Sequence, residues 1–377
     1  MSDPIPLVDL KAQYRAYKDD IDTAIQGVLD HGRFIMGPEV GEFETQLATF
    51  CGSRHAIGVS SGTDALVMIM MAENIGPGDA VFVPGFTFTA TAEVLMLLGA
   101  SPVFVDVDEN DFNIDCGDLE RRIEQVKAAG ELTPRGILAV DLFGLPANYA
   151  ELRKIANNHD LKLWADAAQS IGGAYGTAKV GTLARATGTS FFPAKPLGCY
   201  GDGGAILTDD DSLADEFRSI RAHGKATAKY DIVRIGLNAR LDTIQAAILL
   251  AKLARFGEEI ERRNQIARDL STALGDLVKT PPCPDDRVSA WAQYTIKVHD
   301  GRRDTLAEAL KASGIANAIY YPTPMHLQPA YLDHGDGPGS LPVSEALSAE
   351  VLSLPVYPFM TASQVDRICE TITSALK

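Results

Sequence analysis

Seven short apolar runs punctuate the chain: HAIGV (55–59), AVFVP (80–84), PVFVD (102–106), ILAVD (137–141), LKLWA (161–165), TSFF (189–192) and GAILT (204–208). Helix-compatible stretches separate several of them, at 62–75, 89–98, 117–129 and 146–158. A strand that is apolar on both faces must be covered on both, and helices crossing between parallel strands do this. The pattern predicts an α/β fold built on a mostly parallel seven-stranded sheet. Open sheets of this kind keep ligands outside the carboxyl ends of their strands. DLFG (141–144), Asp166 and the segment before Lys195 all fall there.

Other segments complete the layout. Tyr14, Tyr17, Ile21, Ile25 and Val28 are spaced for an amphipathic N-terminal helix, and a long helical region runs from Leu241 to Leu270. After PPCPDD (281–286) the pattern changes, with a strand at WAQYTIKV (291–298) and a helix at RRDTLAEALKAS (302–313). These changes predict a large domain over residues 1–254, including the N-terminal helix, and a smaller C-terminal α/β domain over 255–377.

Composition narrows the function classes. The chain of 377 residues carries 34 basic and 50 acidic side chains, a net charge of −16, which argues against a nucleic-acid surface. No apolar run is long enough to span a membrane, and the N-terminus lacks a basic-then-apolar leader, so the expected location is the cytoplasm. The 5 cysteines are scattered without CxxC spacing and the 7 histidines without HExxH, which argues against a disulfide framework or a metal site.

Four segments carry candidate chemistry. In TSFFPAKPLGCYGDGGA (189–205), Lys195 stands between aromatic residues and glycines. It is either a solvated turn residue or an amine wanted in a cleft, where desolvation would supply the neutral nucleophile of Schiff-base chemistry. SSGTDAL (60–66) is a strand-end turn entering a helix; its hydroxyls and amides either cap that helix or cradle a phosphate. In WADAAQS (164–170), Asp166 is either a cap or the acid beneath a protonated pyridine ring, with Gln169 near another edge of that ring. In PGFTFTAT (84–91), Phe88 is either core or a face for an aromatic cofactor.

Together with IRAHG (220–224), GLNARLDTIQAAIL (236–249), FIMGPEV (34–40), YYPTPMHLQPAY (320–331) and LSLPVYPF (352–359), these segments resemble the DegT/DnrJ/EryC1/StrS family of sugar aminotransferases over nearly the whole chain. The resemblance implies the aspartate-aminotransferase-like fold (fold type I) and pyridoxal 5'-phosphate as cofactor. It casts Lys195 as the catalytic lysine that holds the cofactor covalently and shuttles protons, Asp166 as the partner of the ring nitrogen, and Gln169 as the neighbour of the phenolic oxygen. Phe88 becomes the stacking aromatic, and Gly62, Thr63, Asp64 and Ser190 the phosphate cradle. Asn238 would reach the phosphate of a partner subunit, so a homodimer with shared sites is expected. A dehydrating branch of the family carries histidine in place of the lysine, and Lys195 argues against it. Pro196 departs from the Asn that many relatives have there, while the lysine keeps its register.

Within the family the segments are most similar to enzymes that aminate C3 of UDP-2-acetamido-2-deoxy-3-oxo-D-glucuronate, with L-glutamate as donor, for surface polysaccharide. That resemblance puts Arg240, Tyr321 and His326 at the sugar, Arg240 facing the uronate carboxylate; a loop histidine packed between domains is the other reading of His326. TDP-linked 3-oxo or 4-oxo deoxysugars are the nearest alternatives. An amino-acid aminotransferase or lyase of the same fold would keep a C-terminal arginine for an α-carboxylate, and after Arg303 this chain has only Arg367. A non-catalytic regulator would have no evident need for Lys195, Asp166 and Gln169 together, and GCYGDGG (198–204) lacks the geometry of a dinucleotide loop.

Overall fold

The strands of the large sheet alternate their side chains between two helical layers. In the computed structural model, which describes residues 3–226 and 230–377, the sheet comprises β1 (His55–Val59), β2 (Asp79–Pro84), β3 (Ser101–Val105), β4 (Thr133–Val140), β5 (Lys162–Asp166), β6 (Ala186–Ser190) and β7 (Gly204–Thr208). Their spatial order is β1-β7-β6-β5-β4-β2-β3. Only β7 runs antiparallel to its neighbours. Ile137, Ala139, Leu163, Ala165 and Leu207 enter one core, while Leu138, Trp164 and Ile206 enter the other, the period-two alternation of strands buried on both faces.

Twelve helices surround this sheet and the smaller layer among the described residues: α1 (Leu10–His31), α2 (Pro38–Cys51), α3 (Gly62–Ala72), α4 (Ala90–Leu97), α5 (Cys116–Ala129), α6 (Tyr149–Asn158), α7 (Asp211–Arg221), α8 (Thr243–Leu253), α9 (Phe256–Leu274), α10 (Arg303–Ala312), α11 (Pro342–Glu350) and α12 (Ala362–Leu376). The amphipathic reading of the N-terminus holds, since α1 buries Tyr17, Ile21 and Val28. The long helical region expected over 241–270 is the pair α8 and α9, with a break at residues 254–255.

The sixth strand lies upstream of its expected position at 189–192. It consists of ATGTS, which offers little apolar signal because α3 packs directly on its backbone. A Cβ on Gly188 would come within 2.8 Å of Leu66 Cδ2. Phe191 lies beyond the strand, buried edge-on against Phe43, and Phe192 is exposed.

A smaller C-terminal layer pairs β8 (Tyr294–Lys297) antiparallel with β9 (Val351–Leu354) under α9, α10 and α12. Ile266 and Leu270 of α9 join its core, whereas Phe256 and Ile260 of the same helix belong to the large one. Ile5 bridges to Ile315 and is buried in the C-terminal core, so the N-terminal residues serve that layer. None of the helices among the described residues is long and apolar enough to cross a membrane.

Candidate active site

Strand register decides which residues meet. Val140 pairs with Asp166, Asp166 with Gly188, Ser190 with Gly204, and Gly204 with Val59. The carboxyl ends of β1, β4, β5 and β6 therefore share one edge with the start of β7. A cavity of about 470 Å³ opens at that edge, lined among others by Gly62, Thr63, Phe88, Asp166, Gln169, Ser190, Lys195 and Tyr321.

Asp166 ends β5 with its carboxylate buried. Thr91 Oγ1 donates to its Oδ2 at 2.8 Å and the Ala168 amide to its Oδ1 at 3.2 Å. Thr91 is itself 3.1 Å from the Thr87 hydroxyl. Burial pushes the Asp166 carboxyl up, against the two hydrogen bonds and the more distant charge of Lys195. The same burial pulls the partly buried Lys195 amine down, against Asp166. The pair is not joined at ion-pair distance, so each charge is left with capacity for a third group between them.

Gln169 is fixed from behind: its Oε1 accepts the Phe143 amide at 2.5 Å, and its Nε2 is 3.5 Å from the Tyr321 hydroxyl. The turn that carries it is tied down by Asp141, which accepts from Ser170 Oγ at 2.7 Å, Tyr149 OH at 2.8 Å and the Ala147 amide at 2.9 Å. Burial pushes the Asp141 carboxyl up to about 6. Phe88 is 55% exposed at the cavity mouth, its ring centroid 6.3 Å from that of Tyr321.

The expected phosphate cradle divides. Ser61 caps α3 by accepting the Asp64 amide at 3.0 Å, while the Asp64 carboxylate accepts from Ser60 Oγ, so Asp64 is engaged behind the turn and does not line the cavity. Gly62, Thr63 and Ser190 do line it. A Cβ on Gly62 would stand 2.7 Å from Ser190 Cβ, so only glycine lets the helix N-terminus approach the strand end this closely.

Three expected residues lie elsewhere in this chain. Asn238 is exposed and Arg240 half-buried, on a segment that leaves the sheet edge through the bridges Ala222–Asn238 and Val59–Arg240. His326 is 1% exposed, bonds Glu345 through Nε2 at 3.0 Å, and borders a separate cavity beside β3 and α5. Conversely, Thr87, Thr91, Asp202, Gln293 and Tyr320 belong to the constellation unannounced. Thr87 and Thr91 flank Phe88 at helical spacing, a signal that was present in the motif but not specific.

The cavity suits a phosphorylated pyridine: a helix N-terminus with hydroxyls at one end, a buried carboxylate without a cationic partner at the other, and an amine on the wall. The DegT/DnrJ/EryC1/StrS aminotransferase family model matches residues 16–373. The chain belongs to that family. It is 43% identical over 373 residues to the UDP-2-acetamido-2-deoxy-3-oxo-D-glucuronate aminotransferase of Pseudomonas aeruginosa, covering 98% of this chain and 100% of that one. The crystal structure of a family aminotransferase from Brucella abortus superposes with a TM-score of 0.96 at 49% identity, covering 99% of each chain. NtdA of Bacillus subtilis, solved with bound cofactor PMP, gives a TM-score of 0.89 at 29% identity, covering 100% of this chain and 86% of its own. The expected fold type I architecture, a mostly parallel sheet with a smaller C-terminal α/β domain, is thus the family's.

Proposed function

We propose that this aminotransferase uses pyridoxal phosphate to transfer the amine of L-glutamate to C3 of UDP-2-acetamido-2-deoxy-3-oxo-D-glucuronate, as a cytoplasmic homodimer serving polysaccharide synthesis. The observation that carries the chemistry is the meeting of Lys195, Asp166, Gln169, Ser190 and Thr63 in one cavity. The substrate rests on likeness to the Pseudomonas aeruginosa enzyme over the full length of both chains.

The residues divide the work. The amides at the start of α3, with the Thr63 and Ser190 hydroxyls, hold the phosphate. Asp166 would keep the proton on the ring nitrogen, and Gln169 would hold another polar edge, the phenolic oxygen. When bound, pyridoxal phosphate supplies an electron sink for the carbanion formed as a proton leaves the amine-bearing carbon. Lys195 would hold the cofactor covalently until the donor's amine displaces it from that bond; the freed Nζ would then take and return that proton, and burial, which lowers its pKa, favours the neutral amine this needs. Phe88 and Tyr321 shield the ring from water.

Exposed apolar surface supports this assembly. Phe34 and Ile35, with Ile232, Val233 and Ile235 on the segment leading to Asn238, expose large apolar side chains, Ile235 to 82%. A second copy covering that arm would bring Asn238 and Arg240 to the neighbouring cavity, the guanidinium toward the uronate carboxylate. Among the described residues Arg240 has no ion-pair partner. We also place the boundary between domains at residues 254–255, in the break between α8 and α9.

The test is direct turnover. Cofactor-loaded protein with glutamate is expected to form 2-oxoglutarate and the 3-amino uronate, detected by mass spectrometry. Its kcat/KM should exceed by tenfold or more that for TDP-linked 3-oxo or 4-oxo deoxysugars. Preference for a TDP-sugar overturns the substrate, and absence of half-reaction with any donor overturns the chemistry.

A further inference from the structure

Helix α8 presents two polar side chains to the loop that bears Lys195. Gln245 and Lys252 are seven residues apart, close to two helical turns, so they project from one side. Gln245 brackets a single residue of the loop: Oε1 accepts the Tyr200 amide at 2.8 Å and Nε2 donates to the Tyr200 carbonyl at 3.3 Å. Lys252 is 2% exposed; its Nζ donates to the Gly198 carbonyl at 2.6 Å and lies 4.2 Å from the centroid of the Tyr200 ring.

Neither side chain lines the cavity. A buried ammonium without a carboxylate at ion-pair distance is costly, and a methionine would fill the same space without that cost. What this ammonium does make is a charge-assisted bond to a carbonyl and a contact with a π-face, both on the one loop. That loop is tightly folded upstream of its contacts with α8. A Cβ on Gly198 would sit 2.5 Å from the Pro193 carbonyl oxygen, and the Cys199 and Lys195 amides already return to Phe191 and Phe192 carbonyls at 2.8 Å each.

We propose that Lys252 and Gln245 are positioning residues that clamp Gly198 and Tyr200 to α8 and thereby hold Lys195 at the cavity wall. The clamp rests on Lys195 being the cofactor lysine, and the two are tested apart. The titratable groups facing Lys252 are Glu259 on α9 and Cys199 and Tyr200 on the loop. Burial lowers the Lys252 amine to about 8, and the charge of Glu259 opposes this. Burial pushes the Cys199 thiol up to about 11 and the Tyr200 hydroxyl up to about 12, so both stay neutral in the range where Lys252 titrates.

The experiment is hydrogen exchange by mass spectrometry on the full chain without cofactor, comparing wild type, K252M, K252R and Q245A. The K252M and Q245A substitutions are expected to speed exchange of the Lys195, Cys199 and Tyr200 amides at least tenfold. Peptides from β5 should not change, and K252R should stay within threefold of wild type. With cofactor, K252M is expected to lower kcat at least tenfold while the KM for the nucleotide sugar stays within threefold, because Lys252 touches no substrate. Loop protection in K252M within threefold of wild type overturns the clamp, as does equal loss in K252R. Borohydride reduction of cofactor-loaded wild type, followed by peptide mapping, tests the prior reading: label on any lysine other than Lys195 overturns it, whatever the exchange shows.

Discussion

Asp166→Asn separates the stability role of a buried carboxylate from its binding role. An asparagine in the same rotamer keeps every contact. Its Oδ1 accepts the Ala168 amide, its Nδ2 donates to Thr91 Oγ1, and the Thr91 hydroxyl turns to Thr87 Oγ1, 3.1 Å away. No buried polar atom is orphaned, and a charge that burial disfavours is removed. The folded-state pKa of Asp166 lies above its unfolded value, so the ionised carboxylate costs the cofactor-free protein stability once pH rises past the ordinary carboxylate range. Cofactor-free D166N should therefore melt at or above the wild-type temperature under mildly alkaline conditions, the gap closing as pH falls. Cofactor affinity moves the other way. Stranding one charge of a buried pair costs about 3–5 kcal/mol. The cavity opens to solvent, so the lower end applies, a loss of about 10²-fold in affinity. Differential scanning fluorimetry of the cofactor-free protein and fluorescence titration with pyridoxal phosphate measure the two effects. A melting temperature several degrees below wild type, or affinity within threefold of it, refutes the reasoning.

Three other substitutions probe separate features. Gly62→Ala gains up to about 1 kcal/mol of helix propensity but overpacks Ser190 at a cost of about 1–3 kcal/mol; cofactor titration should show about tenfold weaker binding, and a raised melting temperature would contradict the close approach. Glu73 is buried; desolvation pushes its carboxyl up, but bonds from Lys162 and from Arg185 at 2.7 Å outweigh this and hold it below the usual range. With the cations partly exposed, Glu73→Gln should cost about 1–2 kcal/mol at neutral pH, a difference that thermal melts should find shrinking as acid protonates the wild-type carboxyl. Ile235→Asp places a charge on the exposed apolar arm, and light scattering should then report a single chain; an unchanged dimer would move the interface elsewhere.

Much of the site was legible because strand ends are. LKLWA is apolar enough to mark β5, and Asp166 follows at once; HAIGV marks β1, and the phosphate-cradle candidates Gly62 and Thr63 come just after it. Strand β6 was legible only in part, since the close packing of α3 on Gly188 removes the bulky residues by which strands are noticed. Thr91 was hidden because its bond to Asp166 spans 75 positions, and Gln293 because it arrives from the C-terminal layer. Motif membership also misdirects in one respect. Asp64 shares a turn with Thr63, yet its carboxylate is engaged by Ser60 and its amide by Ser61, a local choice that residue type alone does not reveal.

The single antiparallel strand has a practical consequence. Because β7 runs back alongside β6, residues 191–203 leave the sheet at Ser190 and rejoin it at Gly204, directly opposite. The segment that carries Lys195 is thus a cassette with both anchors on neighbouring rungs of one ladder. Segments from related enzymes can be grafted between those anchors, provided the graft keeps the apolar residues at 191, 197 and 199 that enter the large core and the backbone at 198 and 200 that meets α8.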